Sequence, residues 1–172
     1  MKSEPSLGQN SYMASTYRFL DSLIGTLQLV SNHEGVLTHV LFEGDKLPAD
    51  ARHDENAASQ AAEQLQEYFA GKRKVFDLPL APQGTEFQRN VWNELLNVPF
   101  GETRSYLQIA QALNKPSATR AIGAANGQNP IPIIIPCHRV IGADGSLTGY
   151  GGGLPIKRKL LELEGMLSPA LL

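Results

Sequence analysis

Cysteine is nearly absent from this chain: Cys137 is the single one among 172 residues. An internal disulfide is thereby excluded, and so is any zinc site built from several cysteines. Long hydrophobic runs are missing as well. The longest apolar stretch, Ile131 to Cys137, is broken by Pro132 and Pro136. It falls far short of the roughly 20 residues that span a bilayer. The opening segment MKSEPSLGQN is polar and shows no apolar run before a cleavage site, so no secretory signal is read there. These absences point to a cytoplasmic protein with no membrane partner. What remains, 42% hydrophobic residues in a chain of one or two domain lengths, suffices for a folded core.

The net charge of −2 conceals an asymmetry, with residues 1–85 at −4 and residues 86–172 at +2. A mildly basic second half is compatible with nucleic-acid binding, although a solvated surface often shows such a difference. Residues 1–15 read as a flexible leader, 16–85 as a first α/β domain and 86–172 as a second, mostly helical one. In the first domain, apolar positions in Tyr17–Phe42 flank the polar turn Ser31 to Gly35, as in a hairpin. A polar, acidic loop follows over Glu43–Asn56. The helix formers Ala57–Ala70 end at Gly71. Lys72-Arg73-Lys74 complement that helix end, with a DNA contact as the other reading. Pro79, Pro82 and Gly84 mark a linker.

The second domain opens with an amphipathic helix over Glu86–Asn97. Ser105 is placed to cap a helix over Tyr106–Leu113, and Ser117 a second one reaching about Gly127. Two short helices joined by Asn114-Lys115-Pro116 fit a helix-turn-helix or a simple αα-hairpin. The second helix is nearly all small residues, which permits close approach to another helix or to a narrow groove. Only Arg120 and Asn126 reach out of it as base readers, which argues against sequence-specific recognition.

The run IPIIIPCHRVI is expected to deliver Cys137 on a short buried strand or extended segment, with His138 beside it. An isolated cysteine is often an inert hydrophobe, and neighbours in a strand point to opposite faces. The glycines around Tyr150 (Gly149, Gly151, Gly152 and Gly153) fit either a pocket wall or a turn before a last helix over Ile156–Glu164. They lack the spacing of a phosphate-binding loop.

Pro136-Cys137-His138-Arg139-Val140 resembles the active-site signature of the methylated-DNA–protein-cysteine methyltransferases, the O6-alkylguanine-DNA alkyltransferase family. The resemblance extends through Gly101-Glu102-Thr103-Arg104-Ser105-Tyr106, Ala118-Thr119-Arg120-Ala121-Ile122-Gly123, Asn129-Pro130, Gly149-Tyr150-Gly151-Gly152 and Glu162-Leu163-Glu164-Gly165. It runs almost without a gap from Phe87 to Gly165, and more loosely through Ile24-Gly25-Thr26-Leu27 and Tyr68-Phe69-Ala70-Gly71. The layout resembles the bacterial two-domain members. The implied fold is α+β, a ribonuclease-H-like sheet with a helix followed by a winged-helix-like domain with a helix-turn-helix.

The resemblance implies direct-reversal DNA repair, with O6-alkylguanine and alkylated thymine as substrates and double-stranded DNA as partner. Cys137 becomes the alkyl acceptor, in keeping with the need for a soft nucleophile to take carbon from oxygen. His138 takes the thiol proton through a water, Glu164 orients His138, and Asn129 is the hinge. Tyr106 donates toward a guanine ring nitrogen and crowds the adjacent phosphate. Arg120 fills the gap left by a nucleotide flipped through the minor groove. Lys115, Ser117 and Asn126 belong to the DNA face. Asn126, Pro132, Leu147, Tyr150, Gly151 and Gly152 form the base pocket. A thioether cannot be displaced by anything in this sequence, so each molecule is expected to act once. No cofactor is implied, and a first-domain zinc site is not expected from His33, His39 and His53 alone. A monomer is expected, with cooperative assembly on DNA left open. Gly151 stands where relatives often carry Ser. With Gly152 and Gly153 it suggests a roomier pocket that tolerates larger alkyl groups. The rival readings are a non-catalytic helix-turn-helix protein, a Cys–His hydrolase and a catalytically silent sensor of alkylated DNA.

Overall fold

The computed structural model describes residues 14–168, so the expected leader, except for its last two residues, lies outside the described part. Ser15 is tied down, its N–H and hydroxyl both donating to Asp50 at 3.2 Å. Strands β1 (Thr16–Ser22), β2 (Gly25–Ser31) and β3 (Leu37–Leu41) pair antiparallel in sequence. Two hairpins join them. The first turns at Leu23-Ile24, where Gly25 takes a φ of 106°. In the second, the Asn32 side chain accepts from the N–H groups of Glu34 and Val36. The acidic stretch is a loop except for β4 (Arg52–His53), which pairs parallel with Thr16 and Tyr17. Sheet order is therefore β3-β2-β1-β4.

Helix α1 (Ser59–Phe69) turns Ala61, Ala62, Leu65 and Tyr68 inward, into the core that Leu20, Leu27 and Leu29 of the sheet also line. The expected linker is partly built into the sheet. Leu80 bridges Leu37, and the Ala81 N–H donates to the Leu37 carbonyl over 2.9 Å. Prolines are tolerated there because the segment is an edge.

Helix α2 (Glu86–Leu95) starts at a capping box of Thr85 and Gln88. It buries Val91, Trp92 and Leu95, and the Trp92 indole donates to the Ala125 carbonyl at 2.9 Å. Strand β5 (Arg104–Ser105) leads into α3 (Tyr106–Ala112), where Ser105 caps reciprocally with Gln108. The cap of α4 (Thr119–Gly127) corrects the sequence expectation: Ala118, not Ser117, holds that position, without a side-chain bond. The Ala118 N–H closes a turn onto the Lys115 carbonyl, which leaves Ser117 within that turn.

The apolar run is not a strand either. Pro130, Pro132 and Pro136 cannot donate to a ladder, and the chain coils instead. The Ile135 N–H folds back to the Ile131 carbonyl, and Ile133 adopts a φ of 75°. Cys137–Arg139 form one 3₁₀ turn, followed by β6 (Val140–Ile141), parallel to β5. Helix α5 (Leu154–Leu163) closes the chain. The molecule is thus α+β, a sheet with its helix followed by a helical half carrying the α3–α4 helix-turn-helix. One apolar core runs through both halves, from Leu29 and Leu65 through Trp92 and Ile122 to Val140 and Leu160. Among the described residues no helix is long and apolar enough to cross a membrane.

Candidate active site

The 3₁₀ turn decides the chemistry around Cys137. In a strand, Cys137 and His138 would face opposite ways, whereas here both are buried. His138 Nε2 lies 2.7 Å from Glu164 Oε1, at the C-cap of α5. Arg139 donates to the same carboxylate from Nε and Nη2, both at 2.8 Å, and from Nη1 to the Val98 carbonyl. Tyr68, from the first half of the chain, adds its hydroxyl to Glu164 Oε1 at 2.8 Å. An ionised carboxylate only accepts, so the imidazole carries its proton on Nε2. Its buried Nδ1 is left as a lone-pair acceptor with no protein partner among the described residues.

The ionisation states follow from these contacts. Burial alone would raise the Glu164 carboxyl, but hydrogen bonds and charge from His138 and Arg139 outweigh it and bring the pKa to about 2. Burial lowers the His138 pKa against the raising effect of Glu164, so the ring is neutral at physiological pH. Burial pushes the Cys137 thiol up to about 11, although the Asn129 amide, the Lys157 ammonium and nearby backbone N–H groups pull it down. The thiol therefore rests protonated and needs a base.

Lys157 was not singled out in the sequence. It is fully buried on α5 and donates to the carbonyls of Val140 at 2.6 Å and Thr148 at 2.8 Å. Burial lowers its pKa to about 8, while Cys137 works in the opposite direction. At neutral pH it is a cation whose charge acts on Cys137, and among the described residues no carboxylate is bonded to it. In the sequence it is one of three consecutive basic residues, Lys157-Arg158-Lys159, of which the other two are exposed.

A cavity of about 210 Å³ opens at Cys137. It gathers Asn126, Asn129, Pro132, Tyr150 and Gly151 of the expected site. Asn129 clamps the preceding loop, donating to the Ile135 carbonyl at 2.8 Å and accepting from the Ile131 N–H at 3.0 Å. Asn126 donates to the Cys137 carbonyl, and its buried Oδ1 has no partner among the described residues; neither has the Tyr150 hydroxyl.

Three expected pocket features need correction. Leu147 does not line the cavity, and Gly152 does not either. A Cβ on Gly152 would come within 2.9 Å of the Phe42 ring, so Phe42 fills the space that was expected to enlarge the pocket. Gly153 adds no room, being turned at a φ of 91° toward Pro155. The sequence reading missed the opposite wall, formed by Val40, Leu41, Phe42 and Asp45 of the first half.

The remaining expected residues lie on the helix-turn-helix and its connecting turn. Tyr106 heads α3, with its hydroxyl 3.3 Å from the Thr148 carbonyl and its ring against Gly123 of α4. Arg120 projects from the start of α4 into solvent, beside exposed Ala121 and Ala124. Ser117 is exposed in the turn, and the Lys115 ammonium stands 5.5 Å from the Phe87 ring.

Two family profiles match the chain. "6-O-methylguanine DNA methyltransferase, ribonuclease-like domain" covers residues 15–82, and the corresponding "DNA binding domain" covers 86–166. A Mycobacterium tuberculosis protein named methylated-DNA–protein-cysteine methyltransferase is 52% identical over 157 residues, 90% of this chain and 94% of its own. A protein of the same name from Methanosarcina barkeri is 50% identical over 86% of this chain and 96% of its own. Among solved structures, Mycobacterium tuberculosis OGT in complex with DNA superposes with a TM-score of 0.83 at 52% identity, covering 87% of this chain and 92% of that one.

Proposed function

The chain belongs to the methylated-DNA–protein-cysteine methyltransferase family, and on that premise we propose that it repairs O6-alkylguanine in DNA by moving the alkyl group irreversibly to its own Cys137. Alkyl transfer in DNA repair and a DNA partner come with the family. The first unit spans residues 16–85 and the second, 86–172, carries the reacting residues and engages the DNA.

The observation that carries it is the Glu164–His138 pair, which leaves Nδ1 as a buried acceptor on the residue that follows the protonated thiol in the same 3₁₀ turn. A water between Nδ1 and the thiol takes the proton across, so the two side chains need not touch. Sulfur then bonds to the alkyl carbon as the carbon–O6 bond breaks, and the electron pair leaves on guanine. Guanine takes up the proton that the thiol gave to His138, so the charges balance. The Tyr106 hydroxyl exchanges its long contact with Thr148 for a ring nitrogen of guanine and stabilises the developing negative charge. Lys157 steadies the thiolate in the interval.

A stacked base cannot reach a buried sulfur, so the nucleotide must flip, at a cost of a few kcal/mol. Arg120 then occupies the vacated stack. The small exposed residues of α4 suit the minor groove, where side-chain bulk is excluded. Lys115 and Ser117 flank that face. Alkylated thymine is a second substrate in this reading, and the protein acts as a monomer. The product is a thioether, and no second thiol exists in the sequence to release it.

Intact mass and peptide mapping after incubation with an oligonucleotide bearing one O6-methylguanine tests the proposal. One added methylene on the Cys137 peptide, saturating at one equivalent, is the expected result. Clear DNA binding with unchanged mass would make the protein a silent sensor, and repair with unchanged mass would mean turnover.

A further inference from the structure

We infer that Phe42, on the far side of the cavity from the helix-turn-helix, sets the largest alkyl group that the site accepts. The inference rests on the reading of Cys137 as the alkyl acceptor. Phe42 follows β3 directly and is 7% exposed. Its N–H is held by Asp45 Oδ2 at 2.9 Å, so the turn after the strand fixes where the ring stands. The strand itself is fastened to the second half, with the Val40 N–H donating to the Pro130 carbonyl at 3.0 Å. Pro130 adjoins Asn129, which clamps the loop leading to Cys137.

The ring of Phe42 meets the segment that lines the cavity through Tyr150 and Gly151. It packs edge-on against Tyr150, with centroids 5.8 Å apart, and lies so close over Gly152 that no side chain fits there. Cys137, Tyr150 and Phe42 thus border one cavity of about 210 Å³. A planar base consumes most of such a space, and the group on its oxygen must point to the sulfur. Growth of that group beyond one or two carbons is met by side chains that are locked in place. Of the apolar ones, Phe42 is the largest that contributes no hydrogen bond from its side chain and takes no part in the proton path. A steric wall discriminates by the volume it denies, and one methylene in a fitted pocket is worth roughly 10- to 200-fold in rate.

The test uses the full chain with Phe42→Ala and Phe42→Leu substitutions. Rates of Cys137 adduct formation are measured by mass with oligonucleotides carrying O6-methylguanine or O6-benzylguanine. The benzyl-to-methyl rate ratio is expected to rise about tenfold in Phe42→Ala and less in Phe42→Leu, the ratio cancelling any loss common to both substrates. A ratio that stays at the wild-type value in both variants, with both rates falling together, would show that Phe42 only supports the fold and would overturn the inference. Wild-type protein that forms no adduct with either substrate would overturn both this inference and the reading of Cys137. An adduct with an unmoved ratio overturns the inference alone.

Discussion

His138 Nε2 and Glu164 Oε1 stand 2.7 Å apart with both side chains fully buried. The pair fixes which nitrogen of the ring can act as a base. Glu164→Gln keeps the shape but presents an amide that can donate as well as accept, so the tautomer is no longer imposed. The alkyl-transfer rate is expected to fall about 100-fold or more, with affinity for DNA unchanged. Stopped-time adduct assays beside a DNA-binding titration check both halves of that statement.

The same carboxylate makes stability depend on acid. Its pKa is about 2 in the folded chain against 4.5 ordinarily, so the unfolded state binds more protons between those values. The contribution, about 3 kcal/mol, is present in full above pH 4.5 and disappears as pH falls toward 2. Urea midpoints should drop steeply over that interval in the wild type. They should drop less in Glu164→Gln, and equal slopes would contradict the assignment.

Lys157 titrates near pH 8, and His138 below its ordinary 6.5. The competent form has neutral His138 and charged Lys157. The transfer rate is therefore expected to rise through an acid limb below pH 6.5 and fall through an alkaline limb near 8. Lys157→Met should lower the plateau by about tenfold, equivalent to one pKa unit on the thiol, and abolish the alkaline limb. Persistence of that limb in the variant would assign it to another group.

Arg120 touches nothing that the thiol chemistry needs. Arg120→Ala should slow repair of duplex DNA by about 10- to 100-fold while leaving reaction with free O6-benzylguanine unchanged, because only the duplex requires extrusion. Parallel rate measurements on the two substrates provide the comparison.

Much of this was legible in the sequence because the signals are local. Ser105 announces its helix through a cap that proves reciprocal with Gln108, three positions on. Ser31 to Gly35 announce a hairpin, and the Pro136-Cys137-His138-Arg139-Val140 motif announces a thiol site. What escaped depends on contacts across long separations. Nothing near Phe42 says that it faces Gly152, and nothing near Tyr68 says that it reaches Glu164. A short strand or extended segment is expected before Cys137 because Ile131, Ile133, Ile134 and Ile135 favour extension, whereas the chain coils there. Three prolines forbid the ladder that extension would need. Lys157 was hidden by its charge, which argues for exposure unless a buried counterpart is known.

Tyr68 and Glu164 are 96 residues apart. Their contact forms only when both halves of the chain have folded and come together, a late event for a pairing of such long range. Until then Glu164, and with it His138, lacks one of the groups that hold it in register. A chain still emerging from the ribosome or opened by stress carries Cys137 without the assembled Tyr68–Glu164–His138 contacts. Whatever reactivity Cys137 has with those contacts in place is in this sense a property of the completed fold, not of the local motif.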